Sequence, residues 1–198
     1  IGGHTHTVEV EKDGEIAAID TGFIVFNDRT YPNFIALLDR LGVPYRPTEM
    51  SFSVKNEQLN LEYNGNNLNT LFAQRGNLLR PRFWWLLKDI VRFNKQVRQA
   101  ASDDENLTIG QFLRENRYSV LFTENYLLPM VSAIWSMGLD SCMDFPLQFF
   151  VRFFANHGLL DITNRPQWYT VVGGSSRYIA PLTEGFRERI SLNSPVIK

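Results

Sequence analysis

The fold is decided by the stretch Ile1-Gly2-Gly3-His4-Thr5-His6-Thr7-Val8-Glu9-Val10, followed by Ile19-Asp20-Thr21-Gly22-Phe23. A glycine pair has no side chains, so its backbone can approach a bulky anionic group. Residues 5–10 alternate in the manner of a half-buried strand, and a second strand over residues 15–20 follows an Asp13-Gly14 turn, a strong hairpin signal. At the end of that strand, Asp20-Thr21-Gly22 combines a carboxylate, a hydroxyl and a flexible backbone, which suits the pyrophosphate and ribose of a dinucleotide.

Composition argues against several classes of protein. The 198 residues carry 20 basic and 21 acidic side chains, and this net charge of −1 is not that of a nucleic-acid-binding domain. The 44% of hydrophobic residues suffices for a packed core. The single cysteine, Cys142, excludes an internal disulfide and is typical of a reducing compartment, so we expect a cytoplasmic protein. No apolar run reaches the roughly 20 residues that span a bilayer.

The order of the predicted elements indicates an α/β protein with two domains. Strands dominate the start and the end, and residues 67–158 are almost wholly helical. We therefore predict that residues 1–45 and 170–198 form a nucleotide-binding domain, into which a substrate domain, 46–169, is inserted. The predicted elements after the first hairpin are a helix from Pro32 to Gly42 capped by Thr30, a hairpin (50–55 with 58–63), a helix from Pro81, a capping box at Thr108–Gln111, a helix over 120–136 kinked at Pro129, a helix over 146–155, a strand (168–172), a turn (173–176), a helix (178–187) and a last strand (190–197).

Several motifs in order resemble those of the flavin-containing amine oxidases, and particularly their bacterial relatives described as FAD/NAD-binding oxidoreductases. The motifs are Gly2-Gly3-His4-Thr5-His6-Thr7 with Asp20-Thr21-Gly22-Phe23, then residues 129–136, 156–160 and 165–175. The resemblance runs through nearly the whole chain. It implies a Rossmann-like domain with noncovalent FAD, in which Gly2, Gly3, His4 and Thr5 pass near the pyrophosphate and the backbone of Val196 lies near the adenine.

The sequence departs from that family at both ends. In the family a Gly-x-Gly-x-x-Gly turn and an acidic residue for the ribose come first, but this chain starts at Ile1 and contains no such turn. The C-terminal part that closes over the flavin is also missing. We therefore expect a fragment that binds FAD weakly by itself, since the first βα turn supplies much of the pyrophosphate site.

Each candidate residue also has a simpler interpretation. Gly2-Gly3 could be an ordinary turn, and Gly173-Gly174-Ser175-Ser176 could bind an anion or merely lead into a helix cap; Trp168 and Tyr169 beside it could line the flavin. His4 and His6 would share one face of a strand, but zinc needs three or four ligands and the other soft donors are remote. We predict no metal, with His4 beside the cofactor and His6 a partly buried strand residue.

The segment 75–98 has seven basic residues and one acid, with Trp84 and Trp85 near the start of its helix. Lys88, Arg92 and Lys95 fall on one face of that helix, which would suit peripheral contact of residues 81–98 with a membrane. A solvated face over a core helix is the alternative. No Gly-x-Ser-x-Gly motif occurs, and Cys142 lacks a catalytic context, so we expect a structural cysteine.

The resemblance implies an FAD-dependent oxidoreductase whose flavin accepts a hydride from a C–N or C–C bond. No side chain is identified as its catalytic acid or base. The segment 145–154 is apolar nearly all round, so it is either buried core or the wall of an apolar cavity, and the latter predicts an apolar or lipid-like substrate. The alternative is a non-catalytic FAD-fold protein, or a lipid- or partner-binding protein that acts through the helix 81–98.

Overall fold

A computed structural model describes residues 1–104, 106–161 and 165–195. The chain forms two compact units, one built from Ile1–Glu49 with Pro166–Lys198 and the other from Met50–Arg165. Both are assembled from short antiparallel sheets and helices, so the fold is a mixed α and β one. Within the described ranges every strand pairing is antiparallel, and a Rossmann-like parallel sheet stays a prediction. No helix in the described part of the chain is long and apolar enough to cross a membrane.

The strands are β1 (Thr7–Lys12), β2 (Glu15–Asp20), β3 (Phe26–Asn27), β4 (Tyr45–Thr48), β5 (Ser53–Asn56), β6 (Leu61–Asn64) and β7 (Trp168–Val171). The helices are α1 (Pro32–Leu41), α2 (Leu68–Leu71), α3 (Pro81–Asp103), α4 (Ile109–Glu115), α5 (Val120–Phe122), α6 (Leu128–Trp135), α7 (Leu139–Met143), α8 (Leu147–Asn156) and α9 (Ile179–Thr183). Short 3₁₀ turns cover Arg75–Leu79, Ser175–Tyr178 and Arg187–Arg189.

The first hairpin forms as predicted. Strands β1 and β2 pair from Thr7↔Asp20 to Lys12↔Glu15 around Asp13 (φ 55°) and Gly14 (φ 81°). Two positive φ values are what a two-residue turn requires to match the twist of its strands. The predicted half-burial is wrong, because nearly every residue of both strands is exposed. Within the part of the chain that the structure describes, no second layer covers the apolar side chains of this two-stranded ribbon.

The three-stranded sheet of the first unit has the order β3-β7-β4. Helix α1 packs on it, with Leu38 fully buried beside Phe26, Val43 and Val171. Strand β4 was not predicted, and it contains a proline, Pro47. Pro47 is tolerated because β4 lies at the edge of the sheet, where a missing N–H costs little.

The predicted ends of α1 are half right. Gly42 ends the helix in the left-handed conformation (φ 64°), as its lack of a Cβ allows. Thr30 does not cap the start, because Tyr31 occupies the cap position without a side-chain bond. Instead the Oδ1 atom of Asn27 accepts hydrogen bonds from the backbone N–H groups of Arg29 and Thr30. The side chain of Asn27 thus stabilises the turn before the helix as an Asx turn, and Thr30 does not act as a cap.

The second unit contains the larger core. Strands β5 and β6 form the predicted hairpin, and Thr108 with Gln111 forms the predicted capping box at the start of α4. Phe83, Leu86, Phe93 and Val97 of α3 are buried against the other helices. Helix α8 is not buried all round, since Leu147, Phe150, Val151 and Phe154 are buried on one face, whereas Phe149 is 54% exposed and Arg152 and Asn156 are exposed as well.

The helix predicted over 120–136 with a kink at Pro129 instead contains a π-helical segment, Thr123–Leu127, between α5 and α6. Proline has no N–H to donate to the carbonyl four residues earlier, which belongs to Asn125. The buried hydroxyl of Tyr63 donates to that carbonyl instead, at 2.6 Å. The side chain of Asn125 in turn accepts a hydrogen bond from Asn56, at 2.7 Å. The β5–β6 hairpin therefore supplies the donors for a helix that its own proline leaves incomplete.

The chain after β7 is less regular than predicted. The expected helix 178–187 is only α9, flanked by 3₁₀ turns on both sides. Residues 190–195 form no strand, because no strand in the described residues pairs with them. The rest of the predicted strand, with Val196, lies outside the described residues.

Candidate functional site

Three segments, residues 2–7, 20–23 and 173–178, come together in the first unit, and they contain the predicted cofactor-binding residues Gly2 to Thr5, Asp20 to Gly22, and Gly173 with Gly174. The first two continue the pairing of the hairpin beyond β1 and β2. The N–H of Thr21 donates to the His6 carbonyl and the N–H of Phe23 to the His4 carbonyl, both at 2.9 Å. A Cβ atom at Gly22 would lie 1.9 Å from the His4 oxygen, so this approach requires glycine.

The carboxylate of Asp20 joins the first two segments to the third. It accepts hydrogen bonds from the Thr7 hydroxyl at 2.6 Å and from both the N–H and the hydroxyl of Ser175 at 2.9 Å. The Thr7 oxygen also accepts from the N–H of Ser176, at 3.0 Å. Ser175 is 1% exposed, so its N–H depends on this partner. Asp20 thus acts as the cap of the 3₁₀ turn at residues 175–178, a role that a side chain distant in sequence fills.

Other residues of the protein pack closely against the two glycines before that turn. Gly174 has φ 95°, and a Cβ atom there would lie 2.4 Å from the Thr7 methyl carbon. Gly173 has φ 79°, and a Cβ atom would lie 3.1 Å from Nε of Arg177. The guanidinium of Arg177 therefore lies across the backbone of this turn. Anion binding at Gly173 and Gly174 stays a prediction, and Arg177 is the cation nearest to it among these residues.

Gly2 and Gly3 form a turn that is closed by the Thr5 N–H, which donates to the Gly2 carbonyl at 3.0 Å. Both have positive φ, 108° and 59°. A Cβ atom at Gly2 would meet the side chain of Ile179 at 3.2 Å, whereas nothing lies within 4 Å of one at Gly3. The Thr5 hydroxyl is hydrogen-bonded to the Tyr178 hydroxyl. Gly3 and the exposed His4 are thus the part of the turn that is open to a ligand.

His6 lies before β1 and is exposed, so the prediction of a partly buried strand residue is wrong. Its Nδ1 atom is 2.6 Å from the Thr21 hydroxyl. Among the described residues, no group of three or more His, Cys, Asp or Glu side chains could hold a metal ion. The contact between the side chains of His6 and Thr21 adds to the backbone pairing of the first two segments.

The aromatic residues next to the site belong to the core of the first unit. Trp168 is 8% exposed, and the ring of Tyr169 stacks on Phe26 with 5.9 Å between centroids. The ring of Tyr178 packs edge-on against Phe34. A flavin-lining role for Trp168 and Tyr169 stays a prediction, and their described contacts are within the protein.

Sequence reasoning did not predict the contacts of four residues in this region, Thr7, Ser175, Arg177 and Tyr178, although Thr7 and Ser175 lie in motifs that it named. The position of Thr7 beside Asp20 could have been predicted. A two-residue turn at 13–14 fixes the hairpin register, and this register places Thr7 opposite Asp20. The contacts of Ser175, Arg177 and Tyr178 join residues far apart in the chain, and no local pattern signals them.

The second unit carries a separate feature at the start of α3. Trp84 and Trp85 are half exposed there, and with Leu78, Leu79, Pro81 and Lys88 they line an open cleft of about 450 Å³. The three basic residues of the predicted face, Lys88, Arg92 and Lys95, do not all have the same role, because the side chain of Arg92 makes contacts within the protein. Its guanidinium lies 3.9 Å from the centre of the Tyr118 ring, 3.7 Å from the Asp89 carboxylate, and donates to the Asn116 carbonyl.

Cys142 is fully buried, and its thiol contacts the Gly138 carbonyl at 3.3 Å. Burial raises the pKa of the thiol, which disfavours the reactive thiolate. Its environment is that of a structural cysteine.

No protein-family model matches the chain, and a search of curated proteins found no similar sequence.

Proposed function

We propose that this protein is an FAD-dependent oxidoreductase of the amine-oxidase type. The observation that carries the proposal is the meeting of the three segments that sequence reasoning assigned to the cofactor. Asp20 links residues 2–7 to residues 173–176 through Thr7 and Ser175, so segments more than 150 residues apart form one region.

The residues of this region divide into two roles in the proposal. Gly2, Gly3, His4 and Thr5 would contact the pyrophosphate, and Gly3 fits this role because its backbone is open where a Cβ atom would stand. Asp20, Thr21, Gly22 and Gly174 would position that loop, since the side chains of Asp20 and Thr21 are hydrogen-bonded within the protein and other protein atoms occupy the space that a Cβ atom would take at Gly22 and Gly174. Arg177, which lies across Gly173, would offset phosphate charge. Bound FAD would supply the acceptor for a hydride from a C–N or C–C bond.

An apolar or lipid-like substrate remains part of the proposal. Most of the aromatic side chains that suggested it are accounted for by the core of the second unit. What supports it now is the half-exposed Phe149, whose ring packs on Trp135 and Phe145. A cytoplasmic location is likewise proposed, from the single buried cysteine.

The test is the visible absorbance spectrum of the protein purified from the complete reading frame. We expect the two absorbance bands of an oxidised flavin, and a lower FAD content in the Asp20→Ala variant, because the loop at residues 2–5 loses its anchor. The control is Glu9→Ala, which removes an exposed carboxylate from the same hairpin. A colourless protein to which FAD cannot be added back would exclude the proposal.

The alternative is a non-catalytic FAD-fold or lipid-binding protein that acts through residues 81–98, and the exposed tryptophans of α3 favour it. Anaerobic mixing separates the two. An oxidoreductase with an apolar substrate should show bleaching of the flavin by unsaturated lipids, whereas bleaching by short polar amines alone would exclude such a substrate. A flavin that no substrate of either class bleaches would favour the non-catalytic protein.

A further inference from the structure

Large apolar side chains are concentrated where α3 begins. Leu79 is 89% exposed, Trp85 60%, Trp84 50% and Leu78 46%. Leu78 and Leu79 end the 3₁₀ turn at Arg75–Leu79, and the tryptophans stand on the first turn of the helix. Burying apolar area from water is the main favourable term in association, so a cluster of this kind marks a contact surface.

The cluster is held in place by the fold beneath it. The Trp84 indole N–H donates to the Leu78 carbonyl at 3.0 Å, and its ring packs on Phe72 with 5.4 Å between centroids. Phe72 and Phe83 are buried below. The 3₁₀ turn therefore keeps Leu78 and Leu79 raised at the surface instead of folding them into the core.

Cations surround the cluster. Arg82 is exposed on the first turn of α3, and the Lys88 ammonium lies 4.7 Å from the centre of the Trp85 ring. Arg75 is exposed as well, and its guanidinium donates to the side chain of Asn69. Asp89 faces inward, where it accepts from the Ser119 N–H, and Glu124 is the acid that shares a cleft with Arg82 and Trp85. Positive charge therefore exceeds negative charge around the apolar residues.

We propose that this α3 amino-terminal surface, made of Leu78, Leu79, Arg82, Trp84, Trp85 and Lys88, docks on an anionic lipid bilayer. Leucine side chains would enter the acyl boundary, the indole rings would lie at the headgroup level, and the cations would attract the lipid phosphates. The proposal concerns this surface alone and does not depend on the flavin. It differs from a helix lying flat on its basic face, because Arg92 is occupied within the fold.

The experiment is co-sedimentation of the whole chain with vesicles of phosphatidylcholine, with and without phosphatidylglycerol. We expect binding to the anionic vesicles that weakens as salt rises. Leu79→Glu should reduce partitioning about tenfold or more, since the free energy of burying one leucine is lost. The double variant Arg82→Glu, Lys88→Glu should reduce both the binding and its dependence on salt.

The matched control is Ile16→Glu, a similar change at a residue 70% exposed on β2, which should bind like the unchanged protein. Circular dichroism of each variant should be unchanged, because the substituted side chains lie at the surface. Sedimentation with neither kind of vesicle would overturn the proposal, as would equal binding to neutral vesicles or an equal loss with Ile16→Glu. If the surface binds a protein partner instead, the chain should sediment with neither kind of vesicle.

Discussion

The glycines of the first unit have different physical reasons to be glycine, although all of them appear in the same sequence motifs. Gly22 and Gly174 are required because other atoms of the chain occupy the space of a Cβ. Gly3 has a left-handed backbone, and no atom of another residue lies within 4 Å of the position that a Cβ atom would take, so it alone of the three has room there for a ligand. A glycine motif in sequence does not tell these cases apart, because it does not show what faces each residue.

Substituting Gly22 by alanine should destabilise the first unit by about 2–3 kcal/mol, the cost of forcing an atom into an occupied space. The new Cβ would displace the His4 carbonyl and weaken the hydrogen bond to Phe23. Hydrogen exchange of the amides at residues 20–25 measures this directly and should become faster. Gly185→Ala is the control, since no atom of another residue lies within 4 Å of the Cβ atom that this substitution adds. Equal exchange in the two variants would contradict the steric account.

Removing the carboxylate in Asp20→Ala should lower the free energy of unfolding of the first unit by about 1–3 kcal/mol, because the buried N–H of Ser175 loses its acceptor. Chemical denaturation followed by the fluorescence of Trp168 would measure it, in a background where Trp84, Trp85 and Trp135 are replaced by phenylalanine. The exposed Glu9→Ala should change it by less than about 0.5 kcal/mol. If the two variants behave alike, Asp20 is no more than the end of a strand.

The elements of the second unit depend on partners distant in sequence. The π-helical segment before Pro129 exists beside a hairpin whose Tyr63 donates to the Asn125 carbonyl. The hydroxyl of Tyr63 is protonated at neutral pH and can donate, and burial raises its pKa still further above the ordinary value. The sequence predicted a kink at Pro129, but it could not identify the π-helical segment or the donor that Tyr63 supplies.

The Tyr63→Phe substitution should therefore destabilise the second unit by about 1–3 kcal/mol, as it leaves a buried carbonyl without that donor. In a Pro129→Ala background the cost should be smaller, because alanine restores an N–H four residues after Asn125. A double-mutant cycle by urea denaturation checks this coupling. Costs that are equal in the two backgrounds would show that Tyr63 and Pro129 act independently.

Local signals predicted most elements and failed where tertiary pairing decides. The Asp13-Gly14 turn, Gly42 and the box at Thr108 each act within a few residues, and each was correctly predicted. Strand β4 was not predicted, and no local signal could have established it: a proline is acceptable in a strand at a sheet edge, and which strand lies at the edge is set by β7, more than 100 residues later. The segments of the candidate site were predictable, and so was the place of Thr7 opposite Asp20, whereas the contact of Asp20 with Ser175 was not.

At the scale of the whole molecule, the two units differ in which parts of the chain form their cores. The second unit is one continuous stretch whose buried residues lie between 54 and 160. The core of the first unit needs both ends of the chain, since β7 is the central strand between β3 and β4. Val171 of β7 is buried with Phe26 and Leu38, which lie in the first 49 residues.

Residues 50–165 should thus fold when produced alone, with helical circular dichroism and a cooperative thermal transition. A single core of this size supports a stability of roughly 5–15 kcal/mol. Residues 1–49 alone should stay unfolded, because without β7 the strands β3 and β4 have no partner and Phe26 and Leu38 lose part of their cover. Adding a peptide of residues 166–195 should restore structure to that segment, which chemical-shift dispersion in NMR spectra would reveal. A broad, non-cooperative transition for residues 50–165 would mean that the helical core requires the first unit, and the chain would then have to be treated as a single cooperative domain.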